Sequence, residues 1–223
     1  MSDDEIDLEL LALLRQSLGG SINRKNAPAE TKVLEGARYI YNNSIDVALD
    51  SQSTKAAAES IWTSMQHKEY SIKTWSTHEL HPKAKNEDTR FGCRFLNCID
   101  EAGGSAAALV NLLAENFPCF NDEQRFEGRR VRFYKRAQIL VADLWACFEG
   151  ESYGKFHDIN EITMFAGCSI WCVELIKAHI LQRDPDAKVN AVLLDFYLYD
   201  TMKEKEAAGD EGIPHHRTRG IWY

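Results

Sequence analysis

Residues Phe133 to Ala166 read FYKRAQILVADLWACFEGESYGKFHDINEITMFA, and Gly167 follows directly. Ala137, Leu140, Val141, Leu144 and Trp145 recur at the three-and-four spacing of an amphipathic helix. Phe133 to Phe148 is therefore expected to be helical, with Gly150 marking its end. Asp158 and Glu161, three residues apart, form a capping-box pattern for a second helix beginning at Ile159. Ile162, Phe165, Ser169, Cys172, Ile176 and Ile180 then keep helical spacing across the Ala166–Gly167 junction. This predicts one fused helix of about 20 to 24 residues, longer than most.

Working outward, the same periodicity recurs. Lys32 to Asn43 and Thr54 to Gln66 each carry an apolar stripe. Ser105 is the expected N-cap of Ala106 to Phe117, which Pro118 stops, and a last long helix is expected from Lys188 to about Ala207. Near the N-terminus, Leu10, Leu11, Leu14 and Leu18 share one face of a short amphipathic helix over Asp7 to Leu18. The Gly, Ser, Asn and Pro of the following stretch read as a linker. Two units are expected: an appendage over 1–29 and a helical domain over 30–223. Strand-like alternation is scarce, so the expected fold class is all-α.

The chain has 223 residues, 44% of them hydrophobic, enough to bury a substantial core. A formal charge of −8 argues against binding a polynucleotide backbone, which needs a basic surface to release counterions. A single phosphate needs only local cations, and Arg129, Arg130, Arg132, Lys135 and Arg136 form the densest basic cluster. Its plainer reading is a solvated helix start. No apolar run approaches a membrane span, and Ser2, Asp3, Asp4 and Glu5 stand where a signal peptide would be basic and then apolar. A soluble cytoplasmic protein with no membrane contact is expected.

Cys93, Cys98, Cys119, Cys147, Cys168 and Cys172 contain no C-x-x-C pair and sit among apolar residues, which favours buried thiols over a metal site. There is no Gly-rich phosphate loop, no G-x-S-x-G and no H-E-x-x-H.

The opening block, together with GCSIWCVELI (Gly167 to Ile176), VNAVLLDFYLYD (Val189 to Asp200), IPHHRTRGIWY (Ile213 to Tyr223), TWSTHELHPKA (Thr74 to Ala84) and FLNCIDEAGGSAAALVNLLAENFPCF (Phe95 to Phe120), resembles the queuosine salvage proteins. These are N-glycosylases that hydrolyse queuosine 5′-phosphate and release queuine, the base later placed in tRNA. The resemblance implies an all-α fold similar to helix-hairpin-helix DNA glycosylases, incomplete here, a small-molecule nucleotide substrate, and no metal or organic cofactor. It also implies that two internal segments are missing. After TMFA the family continues with Asp-Tyr-Arg and several tens of further residues, whereas here Ala166 meets Gly167. The second gap falls near Thr89 and Arg90.

Glycosidic hydrolysis passes through a sugar with oxocarbenium character, which a carboxylate must stabilise. The resemblance gives that role to the aspartate after TMFA, which has no counterpart here, so no catalytic residue is assigned. It implies ligand contacts for His78, Phe165, Asp195 and Asp200, and a phosphate-holding or orienting role for Lys135. Phe165 would stack on the planar base. Asp195 draws notice independently, because it stands within the apolar run AVLLDFYLY and a buried carboxylate needs a partner or a task. The plainer readings are core packing for Phe165, a structural pair with an arginine for Asp195, and solvent exposure for His78 and Lys135.

Weak or absent turnover is therefore expected. The alternative is a non-catalytic helical binding or scaffold protein. A protein partner for the Asp7 to Leu18 helix is compatible with either. Missing helices should also leave an apolar groove beside Phe165 and Trp171.

Overall fold

A computed structural model describes residues 28–45, 48–77, 92–163 and 168–210. The N-terminal helix expected over Asp7 to Leu18, the second gap, His78 and Phe165 lie outside the described residues. The described chain is mostly helical, as the periodicities require. In order come α1 (Val33–Asn43), α2 (Ser51–His67), α3 (Ile72–Thr77), α4 (Gly92–Ala102), α5 (Ala106–Asn116), a two-stranded hairpin of β1 (Glu123–Phe126) and β2 (Arg129–Arg132), α6 (Lys135–Cys147), α7 (Cys168–Arg183) and α8 (Ala191–Ala207). No described helix is long and apolar enough to cross a membrane.

Local chemistry sets the starts. Asp50 accepts from Ser53 N–H at 2.5 Å to cap α2, Ser105 Oγ accepts from Ala108 N–H at 3.0 Å to cap α5, and Asn190 accepts from Leu193 N–H at 2.8 Å to cap α8. The last cap explains why α8 begins at Ala191, not Lys188. For α6 the cap comes from a distance in sequence: Asp122 accepts from Lys135 N–H at 3.1 Å, while Tyr134 before it takes a left-handed conformation.

The core has two larger parts and a small third one around Trp171. Leu109, Val110 and Leu113 of α5 meet Ala137, Val141 and Ala142 of α6, with Val192 and Phe196 of α8 closing one side. Ala58 and Met65 of α2, Val173, Ile176 and Ile180 of α7, and Leu194 and Tyr197 of α8 form the other. Thus α7 is held between α1 and α2 on one side and α8 on another, while α3 packs on both α6 and α8.

Several expectations are corrected. The basic cluster is only in part a helix start: Lys135 and Arg136 open α6, but Arg129, Arg130 and Arg132 lie on a strand. Glu127 and Gly128, at φ 45 and 76, make the two-residue turn of a hairpin whose second strand is Arg129–Arg132. A turn with two left-handed residues suits the twist of paired strands, and it diverts the chain before α6 begins. The fused helix does not form either. Ile159–Glu161 is a single 3-10 turn, Ile162 is extended, and α7 starts at Cys168. Asp158 caps no helix of its own, because its carboxylate is committed elsewhere: it accepts from Ala106 N–H at 2.5 Å, Ala107 N–H at 3.4 Å and Ser105 Oγ–H at 2.6 Å. It therefore sits at the positive end of α5.

No groove opens at Trp171, which is only 2% exposed, stacks on Tyr41 and packs with Leu175 against Leu34 and Leu49. Of the cysteines whose side chains are described, none is the buried thiol expected. Cys119 is exposed, and Cys98, Cys147 and Cys172 are partly exposed. No disulfide joins these four, and no metal-binding group occurs among the described residues.

Candidate functional site

Lys135, Ile139 and Asp143 follow one another at four-residue spacing along α6, and all three are half-buried while Ala137, Gln138, Val141 and Ala142 beside them are buried. On α8, Asp195 is half-buried and Tyr199, one turn on, is exposed, between the buried Leu194, Phe196 and Asp200. These two partly open stripes belong to helices that share α3 as a neighbour. From α3, Trp75 lies flat on Phe196, with ring centroids 3.8 Å apart and planes within 5°, and meets Tyr199 edge-on at 6.0 Å. Beside this aromatic group on α8, Asp195 lies within electrostatic reach of Lys135 and Asp143 on α6.

Electrostatics links the stripes. Burial pushes the Asp195 carboxyl up to about 7; the Lys135 ammonium opposes that rise and the Asp143 carboxylate adds to it. Burial alone pushes Asp143 up to about 6. Among the described residues no arginine pairs with Asp195, so the structural ion pair is not what is found there. Near neutral pH, Asp195 is poised between an acceptor-only carboxylate and a carboxyl that can also donate.

Asp200 is in a different situation. It is 3% exposed and accepts from Tyr70 Oη at 2.5 Å, and the Tyr70 ring meets Tyr197 edge-on at 5.2 Å. Burial, then this hydrogen bond, raises the Tyr70 phenol above its ordinary range. The pair ties the α2–α3 connection to α8 and so fixes where Trp75 sits.

Gln138 ties the segment ending at Thr163 to α6. It is fully buried, donates from Nε2 to Phe133 O at 2.9 Å and accepts from Thr163 N–H at 2.7 Å. The chain is thereby pinned beside the first turns of α6, two residues before Phe165. Four residues, 164–167, connect that pin to α7.

Of the residues singled out from sequence, Lys135 and Asp195 come within electrostatic reach of each other, and Asp200 is buried in the core. Sequence reasoning missed Asp143, Trp75 and Gln138. Asp143 carries the same signal as Asp195, a carboxylate inside an apolar run, here ILVADLW. Two open cavities lie elsewhere. One of about 610 Å³ lies between Trp62, Tyr70, Trp145 and Leu193, and one of about 330 Å³ lies beside Glu59, His179 and Arg183. Neither is lined by Lys135, Asp143 or Asp195.

Against known families, the sequence model described as queuosine salvage protein matches residues 37–167 and 166–223. The chain belongs to the queuosine salvage protein family. It is 39% identical to the queuosine 5′-phosphate N-glycosylase/hydrolase of Mus musculus, covering 60% of this chain and 53% of that protein. It is 37% identical to the Bos taurus protein of that name, again covering 60% and 53%. With the Schizosaccharomyces pombe protein of that name it shares 35% identity, covering 58% of this chain and 50% of that one. The chain spans about half the length of the curated relatives it matches. The two stretches that match the queuosine salvage family meet at 166–167, the junction where the family resemblance called for an aspartate.

Proposed function

We propose that this chain acts in queuosine salvage, binding queuosine 5′-phosphate through Lys135 and Asp195, and that it hydrolyses the N-glycosidic bond weakly or not at all. The observation that carries this reading is the meeting of the two family-matching stretches at 166–167, in a chain that keeps Lys135 and Asp195 within electrostatic reach of each other. A nucleotide brings one phosphate, one sugar and one planar base. Lys135, at the start of α6, supplies a cation for the phosphate. Asp195 supplies a carboxyl for the base or sugar, and Phe165 and His78 are assigned to stacking and hydrogen bonding. Asp200 acts from behind, through Tyr70. The helical domain would follow the helix-hairpin-helix glycosylase pattern with two segments missing, and work in the cytoplasm.

Turnover is the weak point. A positioned acid or base group contributes roughly 10² to 10⁴ in rate, and Gly167 offers no side chain to replace the aspartate. The test incubates the full chain with queuosine 5′-phosphate, measures binding by calorimetry and follows queuine by mass spectrometry. Binding with release at least about 10²-fold slower than in a full-length relative is expected. Absence of binding would overturn the assignment of Lys135 and Asp195 to the ligand. Release at the relative's rate, abolished by Asp195→Ala, would overturn the expectation of weak turnover.

A further inference from the structure

The amphipathic segment Asp7 to Leu18 lies outside the described residues and has no part in the function proposed above. On the folded body, the two open cavities follow one another along α2: Lys55, Glu59 and Trp62 line the one of about 330 Å³, and Trp62, Met65 and Gln66 line the one of about 610 Å³. Because Trp62 belongs to both, they make one trough beside α2, about 17 Å long from Lys55 to Gln66 by helical rise. Its far side is formed by His179 and Arg183 of α7 and by Lys188 and Val189 before α8. Its floor is apolar. Ala58, Met65, Ile180 and Leu193 are buried there, while Trp62, Tyr70, Ile72, Trp145 and Val189 are half-buried and open to it. Two of the polar groups around it are engaged already, Glu59 with Arg183 at 2.8 Å and the Tyr70 hydroxyl with Asp200. What the trough offers a partner is therefore mainly apolar surface.

We propose that Asp7 to Leu18 docks in this trough as a helix, seating Leu10, Leu11, Leu14 and Leu18 on Trp62 and the apolar groups around it. Length, pattern and charge select this segment. As a helix, Asp7 to Leu18 spans about 18 Å, the length of the trough. A single face of leucines suits an apolar floor between polar walls, the way amphipathic helices enter grooves. The lining sets Lys55, Arg183 and Lys188 against Glu59 and Glu69, a positive balance on a chain of formal charge −8. The segment is acidic, with Asp3, Asp4, Glu5, Asp7 and Glu9 against Arg15. The tether also reaches. Leu34 of α1 packs with Trp171 and Leu175, and His179 at the trough follows Leu175 by one turn, about 6 Å. Residues 19–27, fully extended, cover about 30 Å. Seated there, the segment covers Tyr70 and Ile72 and braces the α2–α3 connection that positions Trp75.

This docking is independent of the nucleotide reading and is tested without nucleotide, by hydrogen exchange of the full chain followed by mass spectrometry. An isolated helix of this length is marginal in water, so slow exchange within Asp7 to Leu18 requires a surface beneath it. Exchange there at least about tenfold slower than in a free peptide of residues 1–27 is expected. Leu10→Asp combined with Leu14→Asp, which leaves the body of the protein untouched, should return the segment to the peptide's rate and speed exchange at the trough face of α2. Trp62→Ala should release the segment in the same way, and Val189→Asp serves should that variant unfold. Exchange at the free-peptide rate in the parent chain overturns the proposal. Slow exchange that survives Trp62→Ala or Val189→Asp in a natively folded chain also overturns it, because the segment then docks elsewhere. An α2 face unaffected by the leucine pair has the same meaning. Slow exchange that disappears on dilution, together with a dimer in sedimentation, overturns it too, because the segment then sits on a second copy.

Discussion

Asp158 and Asp195 are both aspartates withdrawn from water, and their surroundings could hardly differ more. Asp158 sits at the N-terminus of α5, where two backbone N–H groups and the Ser105 hydroxyl all donate to it. Asp195 sits mid-helix on α8, where backbone donors are already used within the helix, and feels one ammonium and one carboxylate from α6. The first arrangement satisfies the carboxylate with three donors and ties a loop to a helix. The second penalises it and leaves it reactive toward a proton or a ligand. Burial alone therefore does not distinguish a structural acid from a functional one; the donors around it do.

That contrast can be broken most directly at Asp158. Asp158→Ala leaves two helix-end N–H groups and a hydroxyl without their acceptor, so a loss of about 3 kcal/mol in urea denaturation is expected, and a loss below about 0.5 kcal/mol would mean the cap is redundant.

Asp195→Asn should act in the opposite direction and depend on pH. The folded-state value of about 7 lies above the ordinary 3.8, so the folded form keeps a proton that the unfolded form has lost. Stability tied to this group is full below about pH 4, declines as pH rises, and levels off above about pH 7. The amide removes that decline. The variant should match the parent near pH 4 and exceed it by about 2 kcal/mol at pH 8, less than the full shift implies because Asp195 keeps some contact with water. A pH-independent difference would show that Asp195 titrates normally in the fold.

Ser105→Ala sharpens the Asp158 side. It removes one cap and one donor but leaves the carboxylate on its N–H groups, so about 1 kcal/mol of destabilisation is expected in thermal melts. The smallest effect belongs to the surface. Glu35 pairs with Arg129 on the hairpin, both well exposed, and Glu35→Gln should change stability by no more than about 0.5 kcal/mol, less at high salt. A larger loss would mean that the hairpin is anchored through this pair and not through Val131, which is buried against Gly36.

The helices were legible because their signals are local. Apolar spacing in Ala106 to Asn116 and Lys135 to Cys147, and caps such as Ser105 and Asn190, act within a turn or two. Asp158 was misread for the opposite reason. Its three-residue spacing to Glu161 is a valid capping-box pattern, but Ser105 and the start of α5, some fifty residues earlier, offered better donors. The hairpin was missed because its signal is one left-handed dipeptide, Glu127-Gly128, inside a run of arginines that looked like a solvated helix start. At the site, Lys135 and Asp195 were found from the family resemblance, and Asp195 also from its apolar setting. Asp143 shares that setting and was passed over because nothing in its own neighbourhood says what it faces.

By itself, then, the sequence determined where the helices run, which family the chain belongs to, and that Ala166 meets Gly167 where a carboxylate was expected. These are properties of neighbouring residues, and the chain order records them. Only the tertiary structure decided which aspartate is satisfied and which is poised. Helix N–H groups, an ammonium and a second carboxylate reach those side chains from other elements, and an acid's charge is set by what surrounds it in space.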